Sequence, residues 1–331
     1  MAVAGEKIYY TTNQLENQLG SRSLPGFIRS CETKLLEQLQ NVANRVAWDP
    51  EIRAIFISGP SSSGKTTFTH RIASALALYG RPSVTVSLDN YYNDQATPNY
   101  INGRPDFESI EALDVPLMVT QLETLLGGGE VIVPRFDFRT RSRSWPEGNR
   151  TRIPPNGVLL VEGLHGLSPA VSARLDPAAF VRVMLTPWAT LGSDRSLLDA
   201  RDIRIMRRIS RDVRHRGTHA VATLDYWPMM DQTEAAIFPS YLEAADYFIN
   251  TALAYEFLII PKLAGEAIRS DLEAHTRGEL PPSTYVKEGI YYADLPTALR
   301  EARRILAATM EVPSISPANV PEHSILNEFI S

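Results

Sequence analysis

The sequence predicts a doubly wound α/β protein built on a mostly parallel sheet, and three observations carry that prediction. Short β-rich or apolar runs at 53–58, 83–88, 158–161 and 181–185 are separated by helical stretches, the alternation that makes βαβ units. The run at 158–161, Val-Leu-Leu-Val, is continuously apolar, as a strand buried on both faces should be. Between the first run and a helical stretch at 68–79 lies Gly59-Pro60-Ser61-Ser62-Ser63-Gly64-Lys65-Thr66-Thr67. This fits G-x-x-x-x-G-K-[ST] in the strand–loop–helix setting that the motif requires. Its glycines let the backbone N–H groups turn inward on a triphosphate, and the helix that follows adds its positive end. Lys65 then reaches the β- and γ-phosphates, and the Thr66 hydroxyl ligates Mg²⁺.

The elements follow in order. Residues 1 to about 22 are polar and carry no clear pattern. From 25 to 48 the spacing of Ile28, Leu35, Leu36, Leu39, Val42 and Val46 predicts an amphipathic helix, ended by Asp49-Pro50. The helix after the loop closes at Gly80. The strand at 83–88 runs into Asp89-Asn90-Tyr91-Tyr92, and functional groups of parallel sheets gather at such carboxyl ends. Asp114 opens a helix that Gly127-Gly128-Gly129 stops. A short strand at 131–134 leads to Phe136, Phe138 and the basic run Arg139, Arg141, Arg143.

The strand at 158–161 ends in Glu162-Gly163. Residues 197–217 predict the most charged helix, with Ile203, Met206, Ile209 and Val213 as its buried stripe. Arg204, Arg207, Arg208, Arg211 and Arg214 lie on the other side. A last strand is expected at 244–249, helices at 254–268 and 295–309, and a packed tail from 320.

Composition narrows the class. Apolar content of 44% and charged content of 21% are those of a globular protein, and the net charge of −5 argues against nucleic acid as a partner. The single cysteine, Cys31, cannot form an intramolecular disulfide, which fits a reducing cytoplasm. No run is long and apolar enough to cross a bilayer. There is no Cys/His cluster, so zinc is not expected.

Phosphoryl transfer to an alcohol needs a phosphate cradle, Mg²⁺, a base at the acceptor hydroxyl and cations for the moving group. Asp89 is the proposed base, against the simpler reading of an Asx turn. Glu162 would be costly unpaired at the end of a buried strand, and ligating Mg²⁺ resolves that cost. The arginine face is either solvated, with Asp202 and Asp212 as local partners, or a lid closing on the triphosphate.

These segments resemble the uridine kinase/phosphoribulokinase family of P-loop kinases, in the family's order, from about 52 to 246. The carriers are GPSSSGKTT, SLDNYY (87–92), DFESIEALD (106–114), PRFDF (134–138), VEG (161–163) and DIRIMRRISRDVRHRGT (202–218). The resemblance implies a P-loop NTP-binding kinase fold at 51–270 with an arginine lid at 199–218. A helical N-terminal extension (1–50) and a C-terminal helix and tail (271–331) flank it. It implies ATP and Mg²⁺ as cofactors. Asp89, Lys65 and Arg211 would be catalytic, and Gly59 to Thr67 with Arg208 and Arg216 would hold the nucleotide. Thr66, Asp89 and Glu162 would hold the metal, and Tyr92, Glu108, Phe136, Phe138 and Arg141 the acceptor.

Departures fall on the acceptor side. Glu108 stands for a ribose-binding Asp, Arg141 for a base-reading His, Phe136 for a Tyr, and Thr218 for a lid Arg. VEGLHGL, IFPSYLEAADYF and VPEHSILNEF are similar to a bacterial uridine kinase-like, or nucleoside kinase, branch, here without the N-terminal tRNA-synthetase-like module of several of its members. The expected acceptor is the 5′-hydroxyl of uridine or cytidine. The alternatives are a sugar phosphate or polyol kinase and an ATP-binding regulatory or RNA-associated protein with weak hydrolysis. A small-molecule acceptor is the expected partner, with no membrane, and with homo-oligomerisation left open.

Overall fold

In the computed structural model, which describes residues 3–4, 6–94, 99–138, 140–286 and 290–330, six parallel strands form the central sheet. They are β1 (Val3–Ala4), β2 (Ala54–Ser58), β3 (Ser83–Ser87), β4 (Val158–Glu162), β5 (Phe180–Thr186) and β6 (Tyr247–Asn250). Their spatial order is β1-β6-β5-β2-β4-β3. Side chains alternate across the pleat, so β2 sends Ile55 and Ile57 into one core and Ala54 and Phe56 into the other. β4 does the same with Val158 and Leu160 against Leu159 and Val161. Both faces are therefore covered, the doubly wound arrangement that the apolar runs predict.

The larger core holds α1 (Ser23–Ala47), α2 (Lys65–Leu78), α4 (Ala200–His215), α6 (Ile260–Thr276) and α7 (Leu295–Met310); α3 (Val115–Leu126) covers the other face. α1 buries Leu35, Leu39, Val42 and Val46 as its spacing requires, although Leu36 stays exposed. Asp114 caps α3 through the Leu117 N–H, and Asp199 and Asp202 form a reciprocal capping box on α4.

Three expectations need correction. Residues 8–11 form a strand beside Ala189–Gly192, and Thr11 caps a short helix, Thr12–Glu16; the N-terminal stretch is ordered by pairing at long range. The strand expected at 131–134 lies outside the main sheet, as Glu130–Ile132 against Arg150–Arg152. The third is α5 (Ala220–Ala244), a 25-residue helix where none is expected. Pro228 and Pro239 lie inside it and read as breakers in sequence. Much of its first half is buried all round, from Ala220 to Trp227, so no one-sided stripe betrays it.

α4 is also not a helix with one wet face. Arg204, Arg207 and Arg208 are buried along with Ile203, Met206 and Ile209, whereas Val213 is exposed. Of the basic run, Arg139 lies outside the described residues.

Candidate active site

The loop between β2 and α2 is shaped by residues that allow no substitute. Gly64 sits at φ +86° as the N-cap of α2, a left-handed conformation natural to glycine. A Cβ on Gly59 would lie 2.3 Å from the Leu185 carbonyl oxygen. Lys65 Nζ donates to the carbonyls of Gly59 (2.8 Å) and Pro60 (3.0 Å), folding back over the loop. The buried hydroxyls of Ser62 and Ser63 have no protein partner among the described residues. The first N–H groups of α2 have no intrahelical acceptor either. Unsatisfied donors aimed into a loop at a helix N-terminus fit a phosphate chain.

The sheet register brings two carboxylates to this loop. Glu162, the last residue of β4, pairs in register with Ile57 of β2 on one side and Ser87 of β3 on the other. Asp89 stands two residues beyond Ser87, exposed in the 3₁₀ turn Leu88–Tyr91. Burial raises the pKa of Glu162, and Asp89 raises it further, opposed by a hydrogen bond from Ser87 and by Lys65. A cation between these carboxylates would reverse that cost. Among the described residues no group of three or more His, Cys, Asp or Glu side chains could hold a metal unaided. The Thr66 hydroxyl with Asp89 and Glu162 leaves coordination positions for water and phosphate oxygens, which suits Mg²⁺.

α4 grips the loop from outside. Arg204 Nε donates to Ser61 O (3.2 Å), Arg207 Nη1 to Ser62 O (3.2 Å) and Arg208 Nη1 to Ser61 Oγ (3.1 Å). Arg207 is wholly buried and forms a two-pronged pair with Glu256, at 2.7 and 2.9 Å. Arg208 lies 3.2 Å from Asp212 and 3.8 Å from Glu108. Burial opposes its charge, but Tyr285, Asp212 and Glu108 outweigh that and hold it firmly protonated. Arg211 and Arg216, read from sequence as lid residues, pair with Asp212 at 2.7 and 3.5 Å. Arg208 thus touches the loop, and all three arginines meet at Asp212.

On the acceptor side, Tyr92, Phe136 and Phe138 form an aromatic cluster with ring centroids 5.1–5.5 Å apart. The Tyr92 hydroxyl donates to the Phe107 carbonyl (2.8 Å). The Arg141 guanidinium lies 4.6 Å from the centre of the Phe107 ring, so Arg141 and Glu108 flank one residue. Glu108 is mostly buried, which raises its pKa against the pull of Arg208.

Sequence reasoning missed several supports. His165 Nε2 lies 2.9 Å from the Glu108 carbonyl and Nδ1 2.8 Å from the Tyr241 hydroxyl. The carbonyl can only accept, so Nε2 carries the hydrogen and Tyr241 donates to Nδ1. Its position in VEGLHGL, three residues after Glu162, was the available signal. Tyr285 stacks on Tyr226 at 4.3 Å and accepts from Arg208, a contact that no local pattern announces. The tail also returns to the loop: Ile325 lies against Gly64, and the Thr67 hydroxyl donates to Glu328 Oε2 (3.1 Å).

Comparison with known sequences points the same way. Residues 54–253, more than half of the chain, match the model of the phosphoribulokinase/uridine kinase family. A uridine kinase of Schizosaccharomyces pombe is 29% identical over 234 residues, covering 68% of this chain but only 44% of that longer protein. A uridine kinase of Halobacterium salinarum is 28% identical over 228 residues, covering 68% of this chain and 87% of its own. Among solved structures, one described as a possible uridine kinase from Bacillus stearothermophilus is 17% identical. It covers 65% of this chain and 98% of its own, with a TM-score of 0.43. No helix among the described residues is long and apolar enough to cross a membrane.

Proposed function

The chain belongs to the phosphoribulokinase/uridine kinase family, and on that premise we propose that it moves the γ-phosphoryl group of ATP to an alcohol hydroxyl, most simply the 5′-hydroxyl of a pyrimidine nucleoside. The observation that carries this reading is the register of β4 between β2 and β3, which gathers Glu162, Asp89 and the loop lysine at one end of the sheet. The loop N–H groups and Lys65 bind the phosphates. Asp89 takes the proton of the incoming hydroxyl, and its exposed carboxylate leaves room for that hydroxyl. Mg²⁺, held by Thr66, Asp89 and Glu162, would offset the charge of the transferring group. Arg208, between Ser61 and Glu108, spans the donor and acceptor sides and supplies positive charge at their junction. Tyr92, Phe136 and Phe138 offer aromatic faces to a planar base, and Glu108 accepts from sugar hydroxyls. In this reading 51–270 is the catalytic unit, and 1–50 and 271–331 are extensions packed upon it.

A sugar phosphate or polyol is the second reading, favoured by Arg141, whose guanidinium over the Phe107 ring suits an anionic group. Incubation with ATP, Mg²⁺ and a panel of nucleosides, sugar phosphates and polyols separates the two. Phosphorylation of uridine or cytidine supports the first, and reaction of sugar phosphates or polyols alone supports the second. ATP bound with no transfer would instead indicate a regulatory protein. Asp89→Asn should lower transfer by roughly 10²–10⁴-fold while ATP affinity stays within a few-fold; unchanged turnover removes Asp89 from the role of base.

A further inference from the structure

The last turn of the described chain, Asn327–Ile330, lies outside the matched family region yet rests on the nucleotide loop. Its attachment is not a loose flap. Ile325, Leu326 and Phe329 are buried in the larger core, and the Phe329 ring lies 5.0 Å from the Arg207 guanidinium that grips the Ser62 carbonyl. Ser324 and Tyr255 share a hydrogen bond of 2.8 Å, and Tyr255 donates to Glu32 of α1. The anchored tail holds the half-buried Glu328 at the first turn of α2, on the hydroxyl of the residue after Thr66.

The charges around the loop give this placement its meaning. Arg204 is matched by Glu234 and Arg207 by Glu256, while Arg208, Arg211 and Arg216 converge on Asp212. On the side of α2, Arg71 faces Glu32 at 3.7 Å, and Arg214 donates to the Phe329 carbonyl of the tail. At this edge of the loop lie Lys65, the sheet-end carboxylates Asp89 and Glu162, and Glu328 on the hydroxyl of Thr67. The unpartnered hydroxyls of Ser62 and Ser63 mark where the anion enters. On this edge of the loop a bare triphosphate meets three carboxylates and one lysine, the surplus arginine charge lying on α4, whereas one carrying a divalent cation brings its own counter-charge.

We propose that Glu328 is a selectivity residue of the donor site, which discriminates against triphosphate that arrives without its divalent cation. The inference rests on the nucleotide-binding reading of the loop. Its test is calorimetric titration of the full chain with ATP, once in EDTA and once with excess Mg²⁺. Wild type, Glu328→Gln and the charge-retaining Glu328→Asp are compared after their melting temperatures are matched.

Glu328→Gln, nearly isosteric and still able to accept from Thr67, should bind metal-free ATP about tenfold tighter, with Mg²⁺-bound ATP changed less than about threefold. Glu328→Asp should keep the wild-type discrimination. Equal shifts in both conditions, no shift, or weaker binding by Glu328→Gln would each overturn the assignment. Wild type that binds no ATP even with Mg²⁺ would refute the nucleotide reading itself, a failure distinct from loss of selectivity alone.

Discussion

His165 shows how one side chain can tie the site to the stability of the fold. Burial, the largest cause, pushes its pKa from the ordinary 6.5 down to about 4, the Glu108 carbonyl opposing and Lys65 adding to the shift. At pH 7 the folded chain holds neutral imidazole and the unfolded chain mostly does, so the group contributes little pH dependence there. As pH falls below 6.5 the unfolded chain takes up a proton that the folded one refuses, and stability is lost progressively towards pH 4, about 3 kcal/mol in all. Urea unfolding at pH 7 and pH 4.5 should therefore show a loss about 2 kcal/mol smaller for His165→Gln than for wild type. Equal losses would mean that the imidazole titrates normally in the folded protein.

At the level of elements, local chemistry was readable and long-range pairing was not. The phosphate loop, the capping of α3 by Asp114 and the buried strand β4 follow from spacing and residue type alone. The placement of Asp89 and Glu162 beside the loop follows from βαβ topology. α5 was hidden because periodicity detects helices that are wet on one side, and its prolines suggested breaks. The burial of the α4 arginines was hidden for a related reason: the acids that neutralise a basic stripe cannot be located from local sequence. Glu234 and Glu256 lie 30 and 49 residues away from their partners.

The same pairing makes a prediction for α4. Arg207 and Glu256 are both buried and hydrogen-bonded to each other twice. Removing one partner of such a pair strands a charge, at a cost of about 3–5 kcal/mol. Arg207→Met should shift the denaturant midpoint accordingly and loosen the loop at Ser62. A shift below about 1 kcal/mol would show that the pair is replaceable by an apolar contact.

Over the whole molecule, both terminal segments pack on the central domain, and the tail reaches the nucleotide loop. β1 joins the edge of the central sheet beside β6, α1 packs on α2, and the tail lies across the loop and α4. Phe329 is the pin of that closure, fully buried under Arg207. Phe329→Ala should lower stability by about 3–5 kcal/mol, or roughly 10 °C in melting temperature at this size. It should also weaken ATP binding, because Arg207 loses its support. Thermal melts with and without ATP check both effects, and an unchanged melt would show the tail to be dispensable.

A covering piece made so late has a consequence for biosynthesis. Thr67 and Glu328 are separated by 261 positions, so translation at about 5–20 residues per second spends roughly 10–50 s between the two. Throughout that interval the nascent polypeptide lacks at least this side of the nucleotide cradle, and a ligand met on the ribosome encounters a different binding surface from the one the finished protein presents.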